Sequence, residues 1–235
     1  MFFPVPFWQT NMLSKHRRMC IDIGRKLLAK HTPHALDELA VPAYTKGNVL
    51  SRWLFWQRVA WCHRIGQKHR GGKCLDFGCG VGIMLPLLMD SFDEVYAVEP
   101  EAHETREFLN EWERVTGKSL SQIRLSGDLA ALGIPESSLR LILAMDVFEH
   151  IDDDLPDILV QLRALLSHEG MLIVTGPTEN WLYRLGRRVV GFSGDYHRRT
   201  IEDIHQELQR FFAVTVVRRL VFPFTFFLIL QAKKL

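Results

Sequence analysis

Between Lys73 and Ile83 the chain reads KCLDFGCGVGI. The apolar residues Cys74, Leu75 and Phe77 lead into glycines at Gly78, Gly80 and Gly82. Glycine at every second position allows a tight turn and leaves backbone N–H and C=O groups open to a ligand. The pyrophosphate fingerprint of dinucleotide-binding folds is G-x-G-x-x-G, and its third glycine is missing here because position 83 is Ile. The turn therefore suits close approach of a ligand that is not held by a phosphate. Two acids follow in order. Glu99 closes the run EVYAVE about 20 residues beyond the turn, where an acid in a βαβ unit reaches ribose hydroxyls. Asp128 closes the short segment Leu125-Ser126-Gly127. Acids of this kind stand above the carboxyl edge of a parallel sheet, where ligands bind.

A third group lies further along. Asp146, Glu149 and His150 follow the apolar run Leu139 to Ala144 with D-x-x-E-H spacing. His150 has an ordinary pKa of about 6.5, which suits it to take a proton near neutral pH. Residues 177–199 combine Trp181, Tyr183, Phe192 and Tyr196 with Arg184, Arg187, Arg188, Arg198 and Arg199, and His197 stands among them.

These groups need a scaffold of alternating strands and helices. An apolar run from Ile83 to Met89 follows the turn, Pro100 to Thr116 has Phe108, Leu109 and Trp112 on one helical face, and Leu155 to Leu166 carries a helical stripe. Gly170 to Thr175 reads as a strand, and Thr200 with Asp203 forms a capping box ahead of a helix to about Phe211. Strands alternating with helices predict a doubly wound parallel α/β sheet. The end differs: Val214–Leu220 and Phe224–Gln231 are β-rich runs joined at Pro223, an expected antiparallel pair. Residues 1–45 read as irregular, aromatic at first and then basic through Lys15, His16, Arg17 and Arg18; a helix is expected from Val49 to Ile65. Its aromatics, Phe55 and Trp56 among them, pack on the sheet, line an acceptor pocket or touch a membrane surface.

The composition is that of a globular chain: 235 residues, 47% hydrophobic and 24% charged, with a net charge of +2. That charge is too small to argue for nucleic acid. Four cysteines, Cys20, Cys62, Cys74 and Cys79, show no zinc spacing; two flank the glycine turn, which favours a reducing cytoplasm. The opening MFFPVPFWQT is not patterned as a secretory signal, and Val221–Leu230 is too short to span a bilayer.

LDFGCGVG, VYAVEP, SGDL and LILAMDVFEHI, in that order, resemble the class I S-adenosylmethionine (SAM) dependent methyltransferases from about Lys73 to Leu235. The resemblance implies a Rossmann-like seven-stranded sheet with an antiparallel last strand, an N-terminal helical extension and cap over residues 1–70, and a SAM-binding domain over 71–235 with a lid insertion at about 177–199. It implies SAM as cofactor, held by Asp76, Gly78, Cys79, Gly80, Gly82, Glu99, Asp128, Leu129 and Asp146. The absence of a phosphate in SAM agrees with the missing third glycine. His150 and His197 are the expected proton acceptors. The D-x-x-E-H spacing is similar to the ubiquinone-biosynthesis O-methyltransferases, whose E-x-x-E-H is associated with a divalent cation; with Asp146 in the first place, no metal is expected. No N/D-P-P-Y/F follows the fourth strand, no Pro-Cys pair supplies a nucleophile, and no double-Glu hairpin is visible. The expected acceptor is thus a small, apolar or lipid-like molecule, with an RNA or protein methyltransferase or a non-catalytic SAM-binding module as the alternatives. Peripheral membrane contact stays open, and nothing in the sequence addresses oligomeric state.

Overall fold

The computed structural model describes residues 11–30, 41–46, 49–151, 153–178, 199–221 and 225–235. Seven strands form one sheet: β1 (Lys73–Phe77), β2 (Glu94–Val98), β3 (Ile123–Ser126), β4 (Leu139–Met145), β5 (Leu166–Pro177), β6 (Phe212–Val221) and β7 (Thr225–Lys234). Their order is β3-β2-β1-β4-β5-β7-β6. β1 to β5 pair in parallel, whereas β7 runs antiparallel to both β5 and β6. The strand order reverses at β1, so the crevice above β1 and β4 is the topological switch point.

Strand alternation decides which face each side chain joins. Cys74 of β1 and Leu141 and Leu143 of β4 pack on one side of the sheet. Leu75 and Phe77 of β1, with Ile142 and Ala144 of β4, pack on the other. By the same parity Asp76 shares the face of Cys74. That face is covered by α1 (Asn11–Lys30), α2 (Val41–Thr45), α3 (Val49–Gly66), α4 (Leu85–Met89) and α5 (Ala102–Thr116). The opposite face is covered by α6 (Leu155–Leu165) and α7 (Ile201–Gln209).

The doubly wound sheet with its reversed strand agrees with the sequence reading. The irregular character expected for residues 1–45 does not, because α1 is a 20-residue helix. Its basic run, Lys15 to Arg18, conceals an inward stripe of His16, Cys20, Ile23 and Leu27, all buried. Burying side chains such as Ile23 and Leu27 contributes about 1.5–3 kcal/mol each, enough to seat the helix despite its charges. Lys26 and Lys30 reach Glu111 and Glu107 of α5 at 2.5 and 2.8 Å, but these exposed pairs add little. In α3, Trp56 is buried and Phe55 and Trp61 are half-buried, so these aromatics join the packing of the cap. Among the described residues no helix is long and apolar enough to cross a membrane.

The expected capping box is present. Thr200 Oγ1 accepts the Asp203 N–H at 3.2 Å, and Asp203 Oδ2 accepts the Thr200 N–H at 2.9 Å. This fixes the start of α7, which buries Ile201, Ile204 and Leu208 against the sheet. Replacing Thr200 by Ala should cost about 1 kcal/mol and lower the thermal midpoint by about 2–4 °C, measured by circular dichroism. An unchanged midpoint would show that the cap carries no stability.

Candidate active site

The turn after β1 is built from its backbone outward. The N–H groups of Gly78 and Cys79 both donate to the Val98 carbonyl, at 2.9 and 3.0 Å, so the turn is knitted to the end of β2. Gly78 has φ of 68°, and a Cβ there would lie 2.4 Å from Val147 Cγ2. Both facts demand glycine. The turn thus lies directly against the residue that follows Asp146. At Gly82, with φ of 93°, a Cβ would meet Leu85 and Thr105 at 3.1 and 3.2 Å.

Glu99 sits one residue past β2 and secures the turn. Its Oε2 accepts the Gly80 N–H at 2.8 Å, and its Oε1 accepts the Glu101 N–H at 3.4 Å. Thr105 Oγ1 donates to the Gly80 carbonyl at 2.7 Å, so both polar backbone groups of Gly80 are held. Burial raises the Glu99 carboxyl above its usual range, against the two N–H donors that pull it down.

Asp76, 2% exposed, lies beneath the turn. Burial, with the Glu99 charge as a smaller cause, pushes its carboxyl up to about 7. Asp128 is exposed; its Oδ1 accepts the Ala130 N–H at 3.2 Å while its own N–H donates to Ser126 Oγ. Leu129 is half-buried against the core on the α6 side.

Across the switch point, Asp146 follows β4 in the left-handed region, with φ of 56°. A non-glycine residue holds that conformation only when its surroundings enforce it. Its N–H donates to the Thr175 carbonyl at 3.0 Å and its Oδ1 accepts Thr175 Oγ1 at 3.1 Å. Its Oδ2 accepts Nη1 of Arg58, which comes from α3. Arg58 was not anticipated from the sequence. The signal available was one arginine on the otherwise apolar stripe Leu54, Arg58, Cys62, Ile65 of that helix, where a charge needs a partner.

Glu149 and His150 lie in the short turn Phe148–His150; Glu149 is buried and His150 exposed. Among the described residues no three His, Cys, Asp or Glu side chains are grouped to hold a metal ion. The structure thus brings Asp76, Gly78, Cys79, Gly80, Gly82, Glu99 and Asp146 around one turn, with Asp128 and Leu129 after the neighbouring strand β3. His197 and most of the expected lid, residues 179–198, lie outside the described residues. The four cysteines are free, and only Cys79 is not fully buried.

His16 was also missed. It is 4% exposed on α1, packed between Trp56 and Trp112, and hydrogen-bonded to the Ile83 backbone at the end of the turn. Burial drives its imidazole down to about 3. The two buried groups oppose each other with pH. Asp76 keeps its proton in the fold while the unfolded chain releases it above 3.8, so its contribution to stability is lost as pH rises from 3.8 to about 7. His16 stays neutral in the fold while the unfolded chain takes a proton below 6.5, so stability is lost as pH falls from 6.5 towards about 3. Asp76→Asn removes one side of this balance. The stability of the wild type relative to that variant should rise by about 1.4 kcal/mol for each unit that pH falls between 7 and 4, measured by urea denaturation. Parallel curves for the two proteins would mean that Asp76 is ionised throughout in the fold.

Comparison with known proteins places this geometry. The family model described as "Methyltransferase domain" matches residues 52–217. Magnesium protoporphyrin IX methyltransferase from Synechocystis PCC 6803, solved with bound S-adenosylhomocysteine (SAH), is 20% identical with a TM-score of 0.65, covering 86% of this chain and 95% of that one. A protein of Pyrococcus horikoshii OT3 is 18% identical with a TM-score of 0.61, covering 83% of this chain and 96% of that one. The 1,6-didemethyltoxoflavin-N1-methyltransferase of Burkholderia thailandensis, solved with its acceptor and SAH, is 17% identical with a TM-score of 0.55, covering 75% of this chain and 77% of that one. No curated protein sequence matches the chain significantly.

Proposed function

The chain belongs to the class I SAM-dependent methyltransferases, and from that premise we propose that it methylates a small, apolar or lipid-like molecule. The observation that carries the cofactor side of this reading is the hold of Glu99 on Gly80 at the switch point. An acid there is in place to accept ribose hydroxyls, and the bare backbone of Gly78 to Gly82 admits a nucleoside that lacks phosphate. These residues therefore fit SAM. We assign Asp76, Gly78, Cys79, Gly80, Gly82, Glu99 and Asp146 to its binding, with Asp128 and Leu129 on the adenine side.

When bound, SAM supplies a sulfonium-activated methyl group for in-line displacement. The protein's share is to align the acceptor and exclude water. Residues 1–70 serve as a cap in this reading, since α1 and α3 cover the face of the sheet that carries Asp76. The rings of Phe55 and Phe227 near the tips of β4 and β5 support an apolar acceptor. So do the molecules named for two structurally similar proteins, magnesium protoporphyrin IX and 1,6-didemethyltoxoflavin, both small molecules. The finer likeness to ubiquinone-biosynthesis O-methyltransferases rests on the Asp146–Glu149–His150 spacing alone. For a hydroxyl acceptor we assign His150 as the proton acceptor, because it is exposed just beyond Asp146. A reducing cytoplasm suits the four free cysteines.

Transfer of labelled methyl from SAM into fractionated cell extract tests the acceptor class. Label is expected in a low-mass, solvent-extractable product; label in RNA or protein would overturn the reading. Glu99→Ala should weaken SAH binding at least about tenfold, because hydrogen bonds to a charged group contribute about 1.5–3 kcal/mol each. Unchanged affinity by calorimetry would remove Glu99 from the site. His150→Ala should lower kcat by about 10²–10⁴-fold with SAH affinity held; full turnover would dismiss it as the base.

A further inference from the structure

We propose that Thr105 is a positioning residue for the cofactor site, its hydroxyl locking the peptide between Gly80 and Val81 in the orientation that receives SAM. This rests on the cofactor reading above and adds a residue that acts through the backbone of the turn.

The hydroxyl is spent in an unusual place. Inside a helix, a threonine hydroxyl ordinarily donates to the carbonyl one turn back in its own helix. The threonines that end α2 and α5 do so: Thr45 donates to Val41 at 2.7 Å and Thr116 to Trp112 at 2.8 Å. Thr105, in the first turn of α5, gives its one O–H instead to Gly80, 25 residues earlier in the chain.

Both branches of the side chain meet the turn. Thr105 is fully buried. Its Oγ1 lies 2.7 Å from the Gly80 carbonyl and also interacts with the Cys79 side chain. A Cβ on Gly82 would lie 3.2 Å from Thr105 Cγ2, so the methyl packs into the space that this glycine leaves. One residue of α5 therefore reaches Cys79, Gly80 and Gly82.

What the bond controls follows from peptide planarity. The Gly80 N–H belongs to the peptide before its Cα and the carbonyl to the peptide after it, and each is rigid. Glu99 Oε2 holds the first plane at 2.8 Å, and Thr105 holds the second. The rotations between the planes are φ and ψ of Gly80, a residue with φ of 54° whose missing Cβ restrains neither. Glu99 alone would leave ψ free. A flip of the Gly80–Val81 peptide would then exchange the directions of a carbonyl and an N–H, and SAM would meet a different backbone. The Thr105 bond removes that alternative by fixing the carbonyl towards α5.

Calorimetry with SAH on the full chain tests the assignment. Thr105→Val and Thr105→Ala both lose the hydroxyl and should bind SAH about five- to tenfold more weakly, the loss expected of one buried neutral hydrogen bond. Two such variants keep the comparison open if one fails to fold. Thr105→Ser keeps the hydroxyl and should stay within about twofold of wild type. Thr116→Val removes a local bond at the far end of the same helix and should leave the affinity unchanged. On a Glu99→Ala background, Thr105→Val should cost less than about twofold, because one plane of Gly80 is already loose and the two effects are coupled. Unchanged affinity without the hydroxyl overturns the proposal. Thr105→Ser as weak as Thr105→Ala also overturns it, by making packing the cause. So does an equal loss in Thr116→Val, which would mean a general softening of α5, or full additivity with Glu99→Ala. A wild-type chain that does not bind SAH would remove the cofactor reading itself, a result distinct from failure of Thr105 alone.

Discussion

Both polar backbone groups of Gly80 are held by side chains from the next strand and helix: Glu99 receives its N–H and Thr105 donates to its carbonyl. Everything else at the site depends on this clamp. A glycine-rich turn loses more conformational entropy on ordering than any other backbone segment. Without the clamp it would sample many conformations, and a ligand would bear the cost of choosing one. With it, the path between β1 and α4 is set before a ligand arrives, and the acid assigned to the ligand is the acid that sets the turn. The same arrangement explains why Val147 can sit against Gly78: the turn passes where only a residue without a Cβ fits.

How far the sequence revealed this varies from residue to residue for physical reasons. The positions of Glu99 and Asp128 were legible because a short apolar strand followed by an acid puts that acid at the carboxyl edge of a parallel sheet. Thr200 was legible because a capping box is a local interaction, settled within four residues. The N-terminal helix was not. Its basic cluster dominates the local pattern, and its inward face is completed by His16, a residue that counts as apolar only once packed between Trp56 and Trp112. Arg58 was hidden for the converse reason. A single charge on the inward stripe of a helix that carries other arginines reads as noise until the fold sets it opposite Asp146, 88 residues away in the chain. The left-handed backbone of Asp146 also has no local signature, since Thr175, which holds it, lies on another strand.

These long-range ties change what the N-terminal region is. Judged from spacing, residues 1–70 form an extension outside the nucleotide-binding unit. In the fold, α3 delivers Arg58 to the switch point and α1 delivers His16 to the end of the glycine turn. The match to the methyltransferase family model likewise begins at residue 52, inside α3, well before the glycine turn. The opposing titrations of Asp76 and His16 lie on the same face of the sheet, so the groups that tune stability with pH flank the glycine turn. Docking of the N-terminal helices and order in the turn are therefore expected to be coupled, through buried polar contacts more than through the exposed lysine–glutamate pairs.

The central claim is that the turn clamped by Glu99 is the surface on which SAM lies. The most direct measurement is a titration of the ¹⁵N-labelled chain with SAM, followed through its amide resonances. The account predicts saturable shifts at Gly78, Gly80 and Glu101, whose N–H groups lie at the turn or on the Glu99 carboxylate. Saturation of the protein with those three resonances unmoved, or no binding at all, would contradict it.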